Sequence, residues 1–396
     1  MSEENTNSKI DYMLIFIVIL LGVISVFTLY TLDPLLAQTK YGDGYYLKQI
    51  QWYIVGVVVI TAIMFVDYDR LRQVSWLFYG FGIITLLMLY FHFPPYIAHN
   101  VNGAWGWFKI PGFGTIQPAE FMKVFLIIFL AHIIVAHKEK YPEHTVKMDL
   151  LLLGKIALTA LVPIFFLVKQ PDLGGVLVLT AITVCMILVS GIKWRIIFAI
   201  VGSVLVTGVL IVGVYILLPN QMNDFLKASG LDHVQGRFNA WLNPEEYSQG
   251  DAYQLVRAMR AIGSGQLSGK GVHGFEVTQG IPENHTDFIF TAISEQFGFI
   301  GASIVITIYF LLIYRLIHVA LKCKDPFGSY LITGIIGMFA FQVFQNIGMS
   351  IQLLPITGLP LPLISYGGSS SLTYLIAIGI ALNVYYRLKT YMFDES

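Results

Sequence analysis

Long, nearly uncharged apolar runs are the feature that most limits what this chain can fold into. A helix needs about 20 mainly apolar residues to cross the hydrocarbon core of a bilayer. The first run is too long for the core of a signal peptide and no cleavage site follows it, so we expect it to remain as an anchor. Runs of the required length predict ten membrane-spanning helices, near 12–32, 51–66, 76–93, 117–136, 150–168, 173–191, 196–218, 288–314, 329–350 and 371–387.

The charge content agrees with a membrane protein. Only 12% of the 396 residues are charged, against about 25% in soluble domains. We therefore predict an all-α, polytopic integral membrane protein that forms a single membrane domain over 1–396, with a long extracellular loop at about 219–287. Lys+Arg and Asp+Glu are equal at 24 each, which gives no reason to expect a nucleic-acid partner. Cys185 and Cys323 lack metal-ligand spacing and indicate neither a disulfide framework nor a zinc site.

Basic residues are unevenly divided between the two predicted faces. An even number of spans puts both termini on one side. If that side is the cytoplasm, thirteen Lys and Arg residues lie in the inner segments, against four in the short outer loops: Lys40, Lys48, Lys109 and Lys169. The positive-inside rule then predicts cytoplasmic termini. The irregular segments around 94–116, 219–287 and 351–370 fall outside, and such backbone must be buried or line a wet cavity. We expect a site on that face.

Asp287 closes the segment PENHTD (282–287) at the outer entrance of the eighth predicted helix. One interpretation is an N-terminal cap, because an Asp there satisfies free N–H groups and the helix dipole. The other is a general base at the membrane boundary, beside His285 and Glu283. The position alone favours the cap.

Two ionisable residues follow the proline of QPAEFMK (117–123), which suits the first turn of the fourth helix. Glu120 and Lys123 are three residues apart and face the same side. Lys123 should lie about 9 Å inside the helix start. The two side chains either neutralise each other or face a cavity. Burying a charge in a membrane costs free energy, which favours a functional role at a cavity. Lys155, near the inner end of its helix, can snorkel instead.

Glycine-rich segments stand on the same outer face. In SYGGSSS (365–371), backbone N–H groups and a helix N-terminus suit an anion, but a tight turn packed between helices fits equally well. GSGQLSGKG (263–271) matches neither a nucleotide P-loop nor a dinucleotide fingerprint.

Two apolar features belong to the outer segments. Trp105 is expected in the interfacial aromatic belt, although aromatic faces also stack on sugars. An apolar stripe predicts a short helix lying along the membrane surface: Leu255, Val256, Met259 and Ile262.

Together these motifs resemble the SEDS family (shape, elongation, division and sporulation). The resemblance runs from the first helix to the last. Segment 346–354 favours the elongation branch, RodA, over the division branch, FtsW. One departure is Leu363, where many members have Phe. The matching stretches are QPAEFMK (117–123), QPDLG (170–174), AIGSG (261–265), GKG (269–271), PENHTDFIF (282–290), NIGM (346–349) and LPITGLPLPLISYGGSS (354–370).

The resemblance implies a peptidoglycan glycosyltransferase at the outer face of the bacterial cytoplasmic membrane, serving cell elongation and rod shape. The donor would be the growing glycan on undecaprenyl pyrophosphate, and the acceptor the GlcNAc 4-hydroxyl of lipid II. Asp287 matches the essential aspartate and would act as general base, with inversion at the reacting carbon. The implied substrate-binding positions are Lys123, Glu120, Trp105, Lys48, Asp172, His285, Ser365, Gly367, Gly368, Ser369 and Ser370.

The resemblance also implies partners. A class B penicillin-binding protein and other membrane proteins of the elongation complex are expected. No resident cofactor is assigned, and a divalent cation (Mg²⁺ or Mn²⁺) is one possible stabiliser of the leaving pyrophosphate. The alternative function is a lipid II flippase, a transporter, which should distribute headgroup-binding groups through the membrane depth. An ion-coupled transporter should have broken helices in two matching halves, which the sequence does not show.

Overall fold

The computed structural model describes residues 10–39, 42–101, 104–111, 114–143, 145–217, 236–237, 240–247, 249–250 and 252–391. Within these ranges, ten helices of 17 to 34 residues stand where the apolar runs predict spans, and a shorter helix, α8, precedes the last three. The helices are α1 (Tyr12–Leu36), α2 (Tyr45–Phe65), α3 (Tyr68–Tyr90), α4 (Pro118–Lys140), α5 (Val146–Lys169), α6 (Leu173–Val189), α7 (Trp194–Leu217), α8 (Tyr253–Ser264), α9 (Ile289–Lys322), α10 (Pro326–Ser350) and α11 (Gly368–Tyr391).

Eight of these helices are long and apolar enough to cross a membrane, and α6 is short of the usual span at 17 residues. In lipid, backbone groups must be satisfied within the segment, which helices achieve. The chain is therefore an all-α polytopic membrane protein, as predicted. Polar N-cap side chains begin several helices: Asp11, Asp67, Thr145, Asp172 and Asp325 each accept a backbone N–H.

Some predicted helix starts are late. α2 begins at Tyr45 instead of near 51, and α3 at Tyr68 instead of near 76. Both helices open with polar turns, which a search for apolar runs leaves out. Lys48 consequently lies in the first turn of α2 and not in a loop.

Segment 94–116 was expected to be irregular, but it contains a small antiparallel sheet. Its strands are β1 (Ala98–Val101), β2 (Ala104–Ile110) and β3 (Gly114–Ile116), in that order. Phe108 pairs with both Ala98 and Ile116. The sheet contacts α3, α4 and α11 and gives the tryptophans of β2 a fixed position.

α9 is broken at Gly298, whose φ of 62° and ψ of −158° are not helical. The glycine-rich segment 266–271 fills the break. A Cβ on Gly269 would lie 2.1 Å from the Gln296 carbonyl oxygen, so this close approach requires glycine. The four hydrogen bonds across the break are Lys270 N to Glu295 O, Gly271 N to Gln296 O, Phe299 N to Gln266 O and Ile300 N to Leu267 O, at 2.9 to 3.1 Å. The apolar run over 288–314 gives no sign of this break in the sequence.

The predicted helix after residue 250 is present as α8, but its buried face differs from the prediction. Leu255, Ala258 and Ala261 are buried, and α8 packs on α9. Ala258 and Ala261 form a small core with Ile281 and Phe288. The small alanines allow this close packing, so one face of α8 lies on protein, while Val256 and Met259 of the predicted apolar stripe are only half-buried.

Residues 219–235 of the predicted long loop lie outside the described residues, but the described parts of the loops predicted to share a face meet at one end of the bundle. There Ser369 Oγ accepts from Gln117 N, and Ser365 Oγ donates to the Thr286 carbonyl. Ion pairs of Arg387 with Asp67 and of Arg315 with Asp11 lie at the segments predicted for the opposite end. This arrangement brings all the candidate site segments together.

Candidate active site

The backbone that ends at Asp287 is held by hydrogen bonds to three successive carbonyl groups. Tyr366 N donates to the His285 carbonyl (3.0 Å), Ser365 Oγ to that of Thr286 (2.6 Å), and Asn346 Nδ2 to that of Asp287 (2.7 Å). The donors come from α10 and from the segment that precedes α11. The position of Asp287 is therefore set by elements distant in sequence.

The Asp287 carboxylate does not cap α9. Phe288 occupies the N-cap position without a side-chain cap, and no described residue donates a hydrogen bond to the Asp287 carboxylate. A Cβ on Gly358 would lie 3.4 Å from its Oδ2. The cap interpretation was wrong because the helix starts one residue later and leaves this side chain available.

The surroundings of Asp287 make it a stronger base than an ordinary carboxylate. Burial raises its pKa from 3.8 to about 7, and the negative charges of Glu283 and Asp172 act in the same direction. The positive charge of Arg237 opposes the shift. A group with a pKa near the working pH is suited to general base catalysis.

His285 has a different character from its neighbour. It is buried, and its ring centroid lies 4.7 Å from that of Tyr45. Burial lowers its pKa to about 4, with the Glu283 charge opposing, so it is neutral near pH 7. On the Tyr45 ring, Lys48 Nζ makes a cation–π contact, 4.7 Å from the ring centroid. Tyr45 thus connects Lys48 to the Asp287 segment.

Glu120 and Lys123 form the predicted ion pair, with Lys123 Nζ 2.6 Å from Glu120 Oε1. Both side chains are buried, and Lys123 lies about 8 Å inside the start of α4 at 1.5 Å per residue. Pairing offsets part of the cost of burying the charges. Glu120 Oε2 is buried and has no hydrogen-bond partner among the described residues.

Asp172 connects this pair to Asp287 electrostatically. Its Oδ1 accepts from Gly175 N at 2.7 Å at the start of α6. Burial raises the pKa of Asp172, while the charges of Lys123 and Arg237 lower it. The Asp172 charge also acts on Asp287. One charged neighbourhood therefore comprises Glu120, Lys123, Asp172 and Asp287.

The serines and glycines of 365–371 mainly join elements, which favours the packed-turn interpretation. Ser365 Oγ also accepts from Leu361 N (2.7 Å), Ser369 Oγ accepts from Gln117 N (2.9 Å), and Ser370 Oγ donates to the Gly367 carbonyl (3.3 Å). Gly368 begins α11, and its first-turn N–H groups remain suited to an anion.

Trp105 lies at the edge of this neighbourhood. Its ring centroid is 4.3 Å from that of His92. A Cβ on the next residue, Gly106, would lie 3.9 Å from Oε1 of Gln170. Gln170 precedes Asp172 by two residues. The Gln170 Nε2 atom is buried without a partner among the described residues. The sheet therefore places the residue after Trp105 close to Gln170.

Sequence reasoning gave no site role to three polar residues near the site: Arg237, Gln342 and Asn346. Arg237 Nη1 lies 3.5 Å from the Ile356 carbonyl oxygen, and Gln342 Nε2 donates to the Tyr374 hydroxyl at 2.9 Å. Gln342 and Asn346 are four residues apart on α10, and that spacing could have revealed a polar face. Arg237 lies in an aperiodic segment that gives no such signal.

Lys155 lies away from the proposed centre of the site. Lys155 Nζ lies 3.3 Å from His137 Nδ1, apart from the charged neighbourhood described above. In the described part of the chain, no group of three or more His, Cys, Asp or Glu side chains could hold a metal ion.

Comparison with known proteins gives consistent relatives. The family of cell cycle proteins that comprises FtsW, RodA and SpoVE matches residues 11–390. The probable peptidoglycan glycosyltransferase FtsW of Geobacter metallireducens is 32% identical over 384 residues, covering 96% of each chain. A chain of a solved peptidoglycan synthase complex, described as coordinating polymerization and crosslinking, superposes with a TM-score of 0.74 at 25% identity, over 96% of this chain and 98% of that one. The rod shape determining protein RodA of Thermus thermophilus superposes with a TM-score of 0.64 at 26% identity, over 95% and 96%.

Proposed function

Because the chain belongs to the FtsW, RodA and SpoVE family of cell cycle proteins, we propose that it polymerises the glycan strands of peptidoglycan. A relative matched over 96% of each chain is named a peptidoglycan glycosyltransferase, and this chain is an enzyme of that class. The proposed donor is the growing glycan on undecaprenyl pyrophosphate. The proposed acceptor is the GlcNAc 4-hydroxyl of lipid II.

Asp287 is the proposed general base. A sugar hydroxyl is too weak an acid to ionise near pH 7, so its attack needs a positioned proton acceptor. As the acceptor oxygen bonds to the anomeric carbon of the donor, its proton passes to the Asp287 carboxylate. The bond from that carbon to the pyrophosphate breaks, and undecaprenyl pyrophosphate leaves. One displacement inverts the carbon, which converts an α-linked precursor into a β-linked glycan.

The leaving pyrophosphate gathers negative charge, which buried cations stabilise strongly because the local dielectric is low. Lys123 is the proposed stabilising cation, and Glu120 holds it in place. The described residues contain no group of three or more His, Cys, Asp or Glu side chains that could hold a metal ion, so no step here passes through one; Mg²⁺ or Mn²⁺, if bound, would supply the same kind of stabilisation. The other proposed substrate-binding residues surround this pair and Asp287: Trp105, Lys48, Asp172, His285, Ser365, Gly367, Gly368, Ser369 and Ser370.

The observation that supports this proposal most is that three hydrogen bonds hold the backbone of 285–287 while the Asp287 carboxylate does not cap α9. Burial raises the pKa of this carboxyl to about 7. Asp287→Asn keeps the shape of the side chain and removes the proton acceptor. With its partner in detergent, the purified variant should fold and bind that partner but make no glycan from lipid II. Near-normal glycan synthesis by Asp287→Asn would contradict the proposal.

A lipid II flippase remains the second candidate, because polar side chains do enter the membrane region. Two of them lie toward the end of the helices that carries the other candidate site residues: Lys123 is about 8 Å from the start of α4, and Gln342 about 12 Å from the end of α10. This favours chemistry at one face. Detergent removes the sealed bilayer, so a flipping defect cannot imitate a catalytic one. Wild-type protein that moves labelled lipid II across liposomes, yet never polymerises it with a suitable partner, would establish the flippase.

Within the family we assign the chain to elongation and rod shape, on segment 346–354. Rescue of rod shape in cells depleted of their elongation polymerase tests this assignment, and rescue of division alone would overturn it. We place the protein in the bacterial cytoplasmic membrane with both termini inside. The likeness to a synthase complex that polymerises and crosslinks supports a class B penicillin-binding protein as partner, together with other elongation-complex membrane proteins.

A further inference from the structure

Glu295 is a buried carboxylate that the proposed mechanism does not use. It lies in the outer part of α9, before the break, and its side chain is fully buried. Both of its oxygens accept hydrogen bonds. Oε1 accepts from Glu276 N (3.1 Å), Val277 N (3.0 Å), Lys270 Nζ (3.0 Å) and Ser264 Oγ (3.3 Å), and Oε2 accepts from Thr278 N (2.8 Å).

These bonds fix the turn that leads into the Asp287 segment. Thr278 begins the short 3₁₀ turn Thr278–Gly280, and its carbonyl accepts from Asn284 Nδ2 at 3.1 Å. Asn284 is buried and directly precedes the three carbonyls that place Asp287. A chain of hydrogen bonds therefore runs from Glu295 through Thr278 and Asn284 to the proposed base.

The break in α9 makes this connection more important. At Gly298 the outer part of α9, which follows Asp287 directly, exchanges hydrogen bonds with segment 266–271 instead of continuing the helix. Asp287 is thus attached to a short helical piece whose orientation depends on the loop around it. Glu295 is the charged group that joins that piece to residues 276–278 on the other side of Asp287.

We infer that Glu295 is a positioning residue for the Asp287 base: it fixes both flanks of the 278–287 segment and so sets where the proton acceptor stands. This inference rests on the proposed function, because it assumes that Asp287 removes the acceptor proton. A shift of about 1 Å at a reacting group can reduce the rate on the order of 100-fold.

Glu295→Gln is the discriminating variant. Both carboxylate oxygens face backbone N–H groups, so an amide NH₂ at either position would oppose a donor with a donor. We expect kcat for lipid II polymerisation to fall about 10- to 100-fold, with KM changed by less than about threefold. The acid limb of the pH–rate profile should also move to lower pH, because a displaced Asp287 becomes better hydrated.

Glu276→Gln is the matched control. It removes a partner of the same lysine, with Lys270 Nζ 2.6 Å from Glu276 Oε2, but the Glu276 side chain is exposed. Exposed ion pairs contribute little, so kcat should stay within about twofold. Asn284→Ala breaks the next link in the chain and should give the same kcat loss and pH shift as Glu295→Gln. The double variant should lose less than the product of the two single losses, since both act through one path.

The outcomes separate the hypotheses. If Glu295→Gln only lowers the yield of folded protein, while kcat per folded molecule and the pH profile are unchanged, the role is structural and the inference fails. If Glu295→Gln does not fold, a normal kcat and pH profile for Asn284→Ala overturn the inference instead. Asp287→Asn is assayed in parallel: its full activity would refute the proposed function, whereas its inactivity beside a normal Glu295→Gln refutes only the positioning role.

Discussion

Asp287 and His285 are two residues apart, and burial moves their pKa values in opposite directions. Desolvation disfavours whichever form is charged, so it raises the carboxyl pKa to about 7 and lowers the imidazole pKa to about 4. Only Asp287 is left with a pKa close to neutral pH. The proposal of Asp287 as the base, in preference to His285, therefore rests on their surroundings.

The pH dependence of the rate should follow Asp287. The base must be deprotonated, so raising its pKa moves the fall in rate to higher pH. We expect kcat/KM for lipid II polymerisation in detergent to be low at pH 5, half-maximal near pH 7 and constant above about pH 8. A rate already constant at pH 6 would mean that a carboxyl with an ordinary pKa, near 4, controls the reaction.

Lys123 and Lys155 offer a test of buried charge at the residue scale. We expect Lys123→Met to reduce polymerisation by about 100- to 1,000-fold, because it removes a cation from the forming pyrophosphate charge. Lys155→Met, whose lysine contacts His137 away from the charged neighbourhood, should reduce it far less. The measurement is the initial rate with equal amounts of folded protein. Near-normal turnover by Lys123→Met would remove Lys123 from the mechanism.

At the scale of elements, the start of α11 is packed without spare room. A Cβ on Gly368 would lie 2.4 Å from Cε2 of Trp52, a stiff indole on α2. Gly368→Ala must therefore separate α11 from α2, at about 1 to 3 kcal/mol, and should lower the melting temperature and cut polymerisation at least tenfold. Gly154→Ala is the control, because no atom lies within 4 Å of a Cβ there. It should be neutral or slightly stabilising, and equal behaviour of the two variants would contradict the packing argument.

The sequence predicted the spanning helices well because length and apolarity decide them. It did not predict β1 to β3, since short strands with interspersed glycines leave no clear alternation. The break at Gly298 was also hidden, because Phe297 and Phe299 continue the apolar run and glycine is common in membrane helices. Its cause lies in segment 266–271, which meets α9 only in the folded chain.

The candidate site shows the same division. The motifs identified Asp287, Glu120 and Lys123, because carboxylates and lysines are conspicuous in an apolar chain. The cap interpretation of Asp287 failed because the first residue of α9 depends on the loop before it. Glu295 gives no signal of its own in the sequence, because its partners at 276–278 cannot be recognised from spacing.

At the scale of the whole molecule, orientation in the membrane is the prediction to test. Ser268 and Lys140 are both exposed and lie in segments predicted for opposite faces. With Cys185 and Cys323 replaced, Ser268→Cys should react with an impermeant maleimide in intact spheroplasts, and Lys140→Cys only after lysis. The thirteen-to-four charge bias is the physical reason. The reverse labelling would place the proposed site in the cytoplasm and end the account of surface polymerisation.

The break in α9 has a consequence for how the chain enters the membrane during synthesis. The part of α9 after Gly298 is roughly 36 Å long at 1.5 Å per residue, enough to cross a hydrocarbon core of about 30 Å. Insertion therefore does not require the outer piece to pass into lipid. Residues 266–271 are synthesised before the break, so their N–H and carbonyl groups already exist when residues 295–300 emerge. The interrupted helix can thus be completed by a segment made earlier, after the spanning part is in place.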